Sequence, residues 1–291
     1  MSKCINTGPR GPCLGTRRPL LSSASLERPG VPFQPGPDLM GEVRDDQPSE
    51  ADPEEFYEAF WRSPRWGGVE PNRDERSRLS AVTAMLDACD PGPRPRILDL
   101  GCGRGWLTRA LSRYGEVVGT DVVAASVQRA RELHPDLTFE QTDLQGLLDS
   151  PGEESFDLVV SSEVLEHIKN TEKHDFLHGI HQLLRPGGYA IVTTPRGELW
   201  DQWQRSRDWT QPVEEWISEA ALDRMATNVG FSVERRARAH VYGITPMSRL
   251  LVSRTFRFMA QRAPLLGTLT HPWRIYQVIL LRRSRQGADT I

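Results

Sequence analysis

The stretch Ile97–Gly105, which reads ILDLGCGRG, decides the fold because a buried-type strand runs directly into a glycine-rich turn. Glycines alternate with other residues at Gly101, Gly103 and Gly105, and a helix-like segment follows from Trp106. Glycine lets the backbone adopt positive φ and approach a ligand closely, while the amino terminus of a helix favours an anionic group. The pattern therefore predicts a ligand site built from a strand, a turn and a helix.

The spacing of the glycines bears on the class of ligand. Dinucleotide sites use G-x-G-x-x-G, whereas this turn reads G-x-G-x-G. Asp99 stands two residues before the turn, where a carboxylate would repel a pyrophosphate but attract an amino-acid ammonium. The turn therefore favours a ligand with an aminocarboxylate over a dinucleotide.

Strand and helix patterns alternate along the chain on both sides of this turn. Strands are expected at 96–100, 116–119, 138–141, 156–161, 189–193, from 231, and at 276–281. Helices are expected at 54–61, 73–88, 106–114, 124–133, 172–184, 218–229 and 248–261. Such alternation predicts an α/β fold in which helices cover both faces of a mainly parallel sheet.

Composition narrows the class of protein further. The 291 residues are 38% hydrophobic, which is enough for a sizeable core. No apolar run approaches the ~20 residues of a membrane-spanning helix.

The four cysteines have no metal-ligand spacing and are too few for a disulfide scaffold. We therefore expect a reducing compartment, the cytoplasm.

The first 50 residues differ from the rest in composition. They hold eight Pro and six Gly without apolar periodicity, so we expect residues 1–50 to be a disordered leader. The acid-poor, Arg-containing start also has some likeness to a mitochondrial transit peptide, although its Pro and Gly content disfavours the amphipathic helix of such peptides. We expect residues 51–291 to form a single domain.

Five segments, in order, give the chain a resemblance to the class I S-adenosylmethionine-dependent methyltransferases, over about residues 70–285. They are LDLGCGRG at 98–105, GTD at 119–121, TDL at 142–144, FDLVV at 156–160 and LRPGG at 184–188. The resemblance implies a Rossmann-like, seven-stranded, mostly parallel sheet whose last strand is antiparallel. It also implies S-adenosyl-L-methionine as cofactor. The cofactor-binding half would span about 73–195, and acceptor-side elements about 51–72 and 196–275.

The same resemblance implies roles for residues around the cofactor. The turn glycines should line the methionine moiety, and Asp99 should face its ammonium directly or through water. Asp121 should accept hydrogen bonds from the ribose hydroxyls. Asp143 should accept from the adenine amino group beside the backbone of Leu144, or should instead cap a helix. The expected cofactor set is Asp99, Gly101, Cys102, Gly103, Asp121, Val122, Asp143, Leu144 and Glu163.

An acidic and histidine-containing segment, EVLEH at 163–167, follows the fourth expected strand. If a helix starts here, Glu163, Glu166 and His167 share one face, because they stand at i, i+3 and i+4. Such a set suits a divalent cation such as Mg²⁺, or a general base, His167, with Glu166 as its orienting acid. Asp208 and His240 are candidates for a further metal ligand.

The EVLEH pattern resembles the metal site of two methyltransferase families. One comprises the ubiquinone-biosynthesis O-methyltransferases, to which the chain is closest in motif, and the other the small-RNA 2′-O-methyltransferases. Many class I methyltransferases have a similar segment without a metal, in which the Glu positions the cofactor and the His is structural. Metal, base and structural role therefore stay open.

Two segments could contact the methyl acceptor. Four tryptophans, Trp200, Trp203, Trp209 and Trp216, fall within 17 residues and could stack on a planar or sugar acceptor, or could pack a loop onto the sheet. The expected helix at 248–261 could be a lid over an apolar acceptor, a membrane-surface helix or a packing helix.

The charge is strongly polarised along the chain. The total is −3, but residues 235–291 hold eleven Arg and one Asp, a net charge of +10, and residues 1–234 a net charge of −13. We interpret the basic part as a wall beside the acceptor pocket. These residues are not interleaved with a recognisable RNA-binding module, so a nucleic acid partner is disfavoured.

Together these features predict a small-molecule methyltransferase that acts on a hydroxyl oxygen of a phenol, quinol or sugar. The alternatives are an RNA 2′-O-methyltransferase, a small-molecule N-methyltransferase and a non-catalytic cofactor-binding protein. Peripheral contact with a membrane stays possible through the helix expected at 248–261.

Overall fold

The computed structural model describes residues 53–63, 66–149, 156–205, 213–241, 253 and 271–284. All of them belong to one unit, Asp45–Ile291. The leader expected at 1–50 lies outside the described residues, and so do Asp208, Trp209 and nearly all of the helix expected at 248–261.

The described strands form a seven-stranded sheet. In chain order they are β1 (Arg96–Leu100), β2 (Glu116–Asp121), β3 (Thr138–Gln141), β4 (Phe156–Ser162), β5 (Leu184–Pro195), β6 (Phe231–Val241) and β7 (Arg274–Arg283). Across the sheet their order is β3-β2-β1-β4-β5-β7-β6. The first five pair in parallel, and β7 is antiparallel to both β5 and β6. The Rossmann-like expectation, including the antiparallel last strand, is confirmed.

Six of the eight described helices lie close to the positions expected from sequence, whereas the short helices Leu144–Leu148 and Trp200–Gln204 are not among the expected ones. The eight are α1 (Pro53–Arg62), α2 (Arg73–Leu86), α3 (Trp106–Leu111), α4 (Ala124–Leu133), α5 (Leu144–Leu148), α6 (Lys173–Leu183), α7 (Trp200–Gln204) and α8 (Glu219–Val229). The start of α2 is fixed by a capping box, in which the Asn72 side chain accepts from the amide of Glu75 and the Glu75 carboxylate accepts from the amide of Asn72. None of the described helices is long and apolar enough to cross a membrane.

Strand β1 shows how the sequence builds a core on both faces of the sheet. Leu98 and Leu100 pack with apolar residues of α6 and α8, whereas Ile97 packs on the opposite face with residues of α2 and α3. A central parallel strand needs apolar side chains on both faces, which explains why Ile97, Leu98 and Leu100 are all apolar. Because β1 lies between β2 and β4, the strand order reverses here, and the crevice at the carboxyl ends of these strands is the usual ligand position.

Strand β5 is longer than the sequence pattern predicts. Its first residue, Leu184, pairs with Phe156, and the pairing then shifts register so that Leu158 faces Tyr189. The shift accommodates the Pro-Gly-Gly turn at 186–188 within the strand rather than before it. Sequence periodicity cannot show this, because the irregular pairing depends on the neighbouring strand.

Candidate active site

A cavity of about 530 Å³ lies at the carboxyl ends of β1, β2 and β4. Its lining combines the glycine-rich turn after β1 with the segments that follow β2 and β4. Helix α1 and the segment 213–216 supply further lining residues. The cavity therefore joins the expected cofactor-binding half to the expected acceptor-side elements.

The glycine-rich turn is packed too closely for other residues. Gly101 and Gly103 have φ of +78° and +51°, in the left-handed region. A Cβ on Gly101 would lie 2.2 Å from the Cγ2 of Val164, and a Cβ on Gly103 would lie 2.9 Å from the Cζ2 of Trp61. Both glycines line the cavity, as does the buried Cys102 between them. These three residues therefore lie together at the cavity, and their role toward a cofactor stays a prediction.

Arg104, in the same turn, anchors the segment that leads into α2. Its side chain is fully buried and forms a two-pronged ion pair with Glu75, at 2.5 and 2.8 Å. It also donates to the carbonyl oxygens of Gly68, at 2.6 Å, and Glu70, at 3.3 Å. The turn and the α1–α2 connection are thus held together by one side chain, a role that the sequence pattern does not predict.

Asp121 lies at the end of β2 with a fixed orientation. Its Oδ2 accepts from the amide of Gly103 at 2.9 Å, and its Oδ1 accepts from the amide of Val123 at 3.0 Å. A carboxylate oxygen can accept more than one hydrogen bond, and the role of Asp121 toward ribose hydroxyls stays a prediction. The neighbouring Val122 is 61% exposed and lines the cavity, where it offers an apolar surface.

Asp143 occupies the N-cap position of α5, which is the alternative role that the sequence left open. Its Oδ1 accepts from the amide of Gly146 at 2.7 Å. Both Asp143 and Leu144 line the cavity. The cap therefore fixes the carboxylate at the cavity edge, and the role toward adenine stays a prediction.

Asp99 does not line the cavity, so its position does not support direct contact with a ligand ammonium, and the contact through water stays a prediction. The side chain is 1% exposed and accepts from the hydroxyl of Thr108 at 2.5 Å. The alternation of β1 turns Asp99 toward α3 rather than toward the carboxyl end of the sheet. Burial raises its pKa to about 7, although the Thr108 hydrogen bond opposes this shift.

The helix expected to begin at Glu163 does not form. Glu163 has a φ of +61°, in the left-handed region, and the segment Leu165–His167 is a single 3₁₀ turn. The shared face expected from the i, i+3 and i+4 spacing is therefore wrong. The three side chains nevertheless line the same cavity, because the turn after β4 directs them there.

The two glutamates are held by hydroxyls at the end of β5. Glu163 Oε1 accepts from the hydroxyl of Thr193 at 2.9 Å, and Glu166 Oε2 accepts from the hydroxyl of Thr194 at 3.0 Å. The guanidinium of Arg78 lies 3.5 Å from the other oxygen of Glu163. Burial raises the pKa of Glu163 to about 8 and that of Glu166 to about 7.

The two ring nitrogens of His167, which lines the cavity, have different partners. Its Nδ1 lies 2.7 Å from the carbonyl oxygen of Val213, which can only accept, so Nδ1 carries the proton. The other nitrogen, Nε2, lies 4.0 Å from Glu166 Oε1. Burial lowers the pKa of His167. The neutral imidazole therefore has an unprotonated Nε2 that can accept a proton.

The three side chains do not fit a metal site. No three His, Cys, Asp or Glu side chains within the described ranges are grouped closely enough to hold a metal ion. Glu163 already faces the Arg78 guanidinium, and His240, the candidate for a further ligand, contacts Asp74 at 3.1 Å instead. The geometry therefore favours the interpretation of His167 as a base over the interpretation of the cluster as a metal site.

Aromatic side chains form part of the cavity wall, in the elements expected to lie beside the methyl acceptor. Trp203 and Trp216, two of the four tryptophans, line it, whereas Trp200 packs edge-on against Trp216. Tyr57 and Tyr276 were not anticipated. The i, i+3 and i+4 spacing of aromatic residues in EEFYEAFW at 54–61 was the available signal for α1.

The described arginines after residue 234 do not form a wall beside the cavity. Arg238 pairs with Glu219 at 2.6 Å, and Arg236 pairs with Asp223. Arg283 donates to carbonyl oxygens at the end of α6. None of the basic residues described in this part of the chain lines the cavity. The basic-wall interpretation is therefore wrong for the described arginines. Arg236 and Arg238 instead pair with acidic residues of α8, and Arg283 caps the end of α6.

A family model decides the classification of this fold and site. Residues 70–235 match the family described as "Methyltransferase domain". The chain belongs to this methyltransferase family. The match agrees with the methyltransferase family inferred from the five segments, and the strand order confirms the Rossmann-like sheet.

Curated relatives of the methyltransferase match part of the chain. The mitochondrial ubiquinone biosynthesis O-methyltransferase of Rattus norvegicus is 39% identical over 127 residues, which are 41% of this chain and 36% of the rat protein. The ubiquinone biosynthesis O-methyltransferase of Alkalilimnicola ehrlichii is 38% identical over 104 residues, which are 34% of this chain and 41% of that protein. The matched stretch thus spans less than half the length of these relatives.

Solved structures share the fold of the methyltransferase at low sequence identity. The N-methyltransferase NodS from Bradyrhizobium japonicum WM9, in complex with S-adenosyl-L-homocysteine, matches with a TM-score of 0.56 at 16% identity. The matched region covers 79% of this chain and 97% of the NodS chain. Magnesium protoporphyrin IX methyltransferase from Synechocystis PCC 6803, with bound S-adenosylmethionine, matches with a TM-score of 0.52 at 16% identity. The matched region covers 82% of this chain and 100% of that enzyme's chain. At such identities the likeness establishes the fold alone.

Proposed function

We propose that the methyltransferase transfers the methyl group of S-adenosylmethionine to a hydroxyl oxygen of a small aromatic acceptor, a phenol or quinol. The observation that carries this proposal is the contact between His167 Nδ1 and the Val213 carbonyl. This contact leaves Nε2 unprotonated, at 4.0 Å from Glu166 Oε1. A hydroxyl is a poor nucleophile until a base removes its proton, and a neutral imidazole is suited to that step. The names of the curated relatives support an oxygen acceptor.

The cofactor would occupy the part of the cavity formed by the glycine-rich turn and the ends of β2 and β3. Asp121 would bind the ribose hydroxyls, with Val122 and Leu144 against the adenine and Asp143 at its amino group. Gly101, Cys102 and Gly103 would line the methionine moiety. Glu163, at the end of β4, would lie toward the positively charged sulfur. Loss of the methyl group turns the sulfonium cation into a neutral thioether, so no covalent help from the protein is needed.

The protein's own contribution is then positioning and proton removal. The acceptor hydroxyl would lie between His167 Nε2 and the methyl group, so that the proton moves to Nε2 as the oxygen–methyl bond forms. Glu166, 4.0 Å from Nε2, would stabilise the imidazolium that results. The side chains of Trp203, Trp216 and Tyr276 would hold an aromatic ring in the orientation for transfer.

The proposal is tested by incubating the full chain with catechol and S-adenosylmethionine that carries ¹³C in its methyl group. We expect a new NMR signal at the chemical shift of an aryl O-methyl group, and equimolar S-adenosylhomocysteine. Aniline, matched in ring size, serves as the nitrogen acceptor. Methylation of aniline but not of catechol would contradict the proposed oxygen acceptor.

A further inference from the structure

Glu214 joins the two tryptophans that line the acceptor side of the cavity. Its Oε1 accepts from the indole Nε1 of Trp203 at 3.2 Å and from that of Trp216 at 3.1 Å. The two ring centroids are 5.2 Å apart, and the ring planes are tilted by 44°. One carboxylate oxygen therefore sets the relative orientation of two rings that come from separate segments, α7 and the stretch before α8.

The position of Glu214 is fixed relative to His167 by the residues on either side of it. The Val213 carbonyl contacts His167 Nδ1, and the amide of Glu215 donates to the carbonyl oxygen of Glu166 at 2.8 Å. The fully buried ammonium of Lys173 donates to the carbonyl oxygen of Glu215, also at 2.8 Å. The aromatic pair is thus held at a defined place relative to the proposed base.

The charge of Glu214 also reaches the centre of the cavity. Burial is the main influence on the pKa of His167 and lowers it, whereas the negative charge of Glu214 opposes that shift. The same charge adds to the effect of burial in raising the pKa of Tyr57. The guanidinium that lines the cavity, that of Arg78, lies 3.5 Å from Glu163. Glu214 lines the cavity together with Glu163 and Glu166, so a carboxylate on the acceptor ring would meet negative charge there, to which Glu214 contributes on the side of the two tryptophans.

We propose that Glu214 determines which acceptor ring is used: its Oε1 holds Trp203 and Trp216 as a wall for a flat ring, and its charge selects against rings that carry a carboxylate. This inference rests on the proposed methylation of aromatic hydroxyls and adds a selectivity that the relatives' names do not state. Glu214 is a positioning and specificity-determining residue, because it acts on the acceptor through the two indoles and through the electrostatic field of its carboxylate.

The test uses three catechols that differ in one ring substituent: a hydroxymethyl, an aminomethyl or a carboxylate group. For each, KM and kcat are measured with the full chain, and binding to the S-adenosylhomocysteine complex is followed by tryptophan fluorescence. For the unchanged protein we expect kcat/KM to be about tenfold lower for the carboxylate than for the hydroxymethyl compound, a difference that shrinks at high salt.

Two substitutions separate the two roles of Glu214. Glu214→Gln keeps an oxygen that can accept from both indoles but removes the charge. We expect its near-ultraviolet circular dichroism spectrum to be unchanged. The ratio of kcat/KM between the hydroxymethyl and the carboxylate compound should fall to about twofold or less. Glu214→Ala also releases the rings, so we expect an altered near-ultraviolet spectrum and a roughly tenfold rise of KM for the hydroxymethyl compound, with a smaller change of kcat.

Glu116→Gln is the matched control, because it makes the same charge change at an exposed residue at the amino end of β2, outside the cavity lining. It should leave the discrimination unchanged. If Glu214→Gln keeps the full discrimination, or if Glu214→Ala leaves both KM and the spectrum unchanged, the role assigned to Glu214 is wrong.

The failure of this inference can be told apart from the failure of the proposed function. Turnover of the three catechols without discrimination by the unchanged protein contradicts the role of Glu214 alone. Discrimination in binding without any methyl transfer contradicts the proposed reaction alone. If neither binding nor turnover is detected, both are overturned.

Discussion

The Nδ1 atom of His167 lies 2.7 Å from the carbonyl oxygen of Val213, a residue 46 positions further along the chain. This contact fixes the ring tautomer, since a carbonyl oxygen has no proton to donate. It leaves Nε2 as the acceptor, 4.0 Å from Glu166 Oε1. The contact between a turn after β4 and a segment before α8 thus determines which nitrogen can serve as a base.

The tautomer can be observed directly. With ¹⁵N-labelled histidine, we expect the His167 ring to be neutral at neutral pH, with a protonated Nδ1 and an unprotonated Nε2. Because burial lowers the pKa of His167, the ring should become charged only below the ordinary midpoint of about 6.5. Long-range ¹H–¹⁵N NMR spectra across a pH titration provide the measurement. A protonated Nε2 in the neutral ring would rule out the proposed geometry.

Activity should not depend on a divalent cation. The cluster of Glu163, Glu166 and His167 does not meet the geometry of a metal site, and Arg78 already faces Glu163. We therefore expect EDTA to leave the rate of catechol methylation unchanged, and added Mg²⁺ to give no increase. A rate that falls with EDTA and is restored by Mg²⁺ would revive the metal interpretation from the sequence.

The ion pair between Arg104 and Glu75 should be needed for stability and for cofactor binding. Arg104→Met removes the guanidinium and leaves the Glu75 carboxylate buried without its charge partner. We expect a loss of about 3–5 kcal/mol in the free energy of unfolding, because a buried charge is left uncompensated. Affinity for S-adenosylhomocysteine should fall as well, since Arg104 lies in the glycine-rich turn. Urea unfolding and calorimetric titration measure the two effects.

Arg109→Met is the matched control for Arg104. Arg109 also pairs with a carboxylate, that of Asp136, but both side chains are exposed. Exposed ion pairs contribute little to stability. An equal loss of stability in the two variants would mean that burial of Arg104 has no special consequence.

The ligand-free protein should lose stability as the pH rises through the neutral range. Burial raises the pKa of Glu163 to about 8 and that of Glu166 to about 7, above the value of 4.5 for an unperturbed Glu. Between 4.5 and those values the folded state binds more protons than the unfolded state, so the free energy of unfolding falls with increasing pH. Glu166→Gln should flatten this fall. Urea unfolding at several pH values tests it, and a steeper fall in Glu166→Gln would contradict it.

The sequence predicts the fold well because the signals that define it are local. The strand that ends at Leu100 and the glycines that follow it specify a strand, turn and helix without reference to the rest of the chain. The helix over Ala124–Leu133 and the strand over Thr138–Gln141 coincide with their predicted bounds. Irregular pairing is not local, and for that reason the extension of β5 back to Leu184 was missed.

The site was predicted less completely, because tertiary contacts decide which way its side chains face. Asp99 has a suitable position in the motif, yet the alternation of β1 places it against Thr108. The spacing of Glu163, Glu166 and His167 was interpreted as helical, whereas the positive φ of Glu163 brings the side chains to the cavity by a turn. Glu214 carries no sequence signal, since its partners Trp203 and Trp216 are defined only in the folded chain.

The central claim is that His167 removes the proton of the acceptor hydroxyl, and the rate of methyl transfer in a single turnover tests it most directly. His167→Asn keeps an N–H that can reach the Val213 carbonyl but has no atom in the place of Nε2. We expect its transfer rate to catechol to fall by about 10²–10⁴-fold while its affinity for S-adenosylhomocysteine is unchanged. The exposed His174→Asn should transfer at the normal rate. A His167→Asn enzyme that binds the cofactor normally and transfers the methyl group at the unchanged rate would contradict the account.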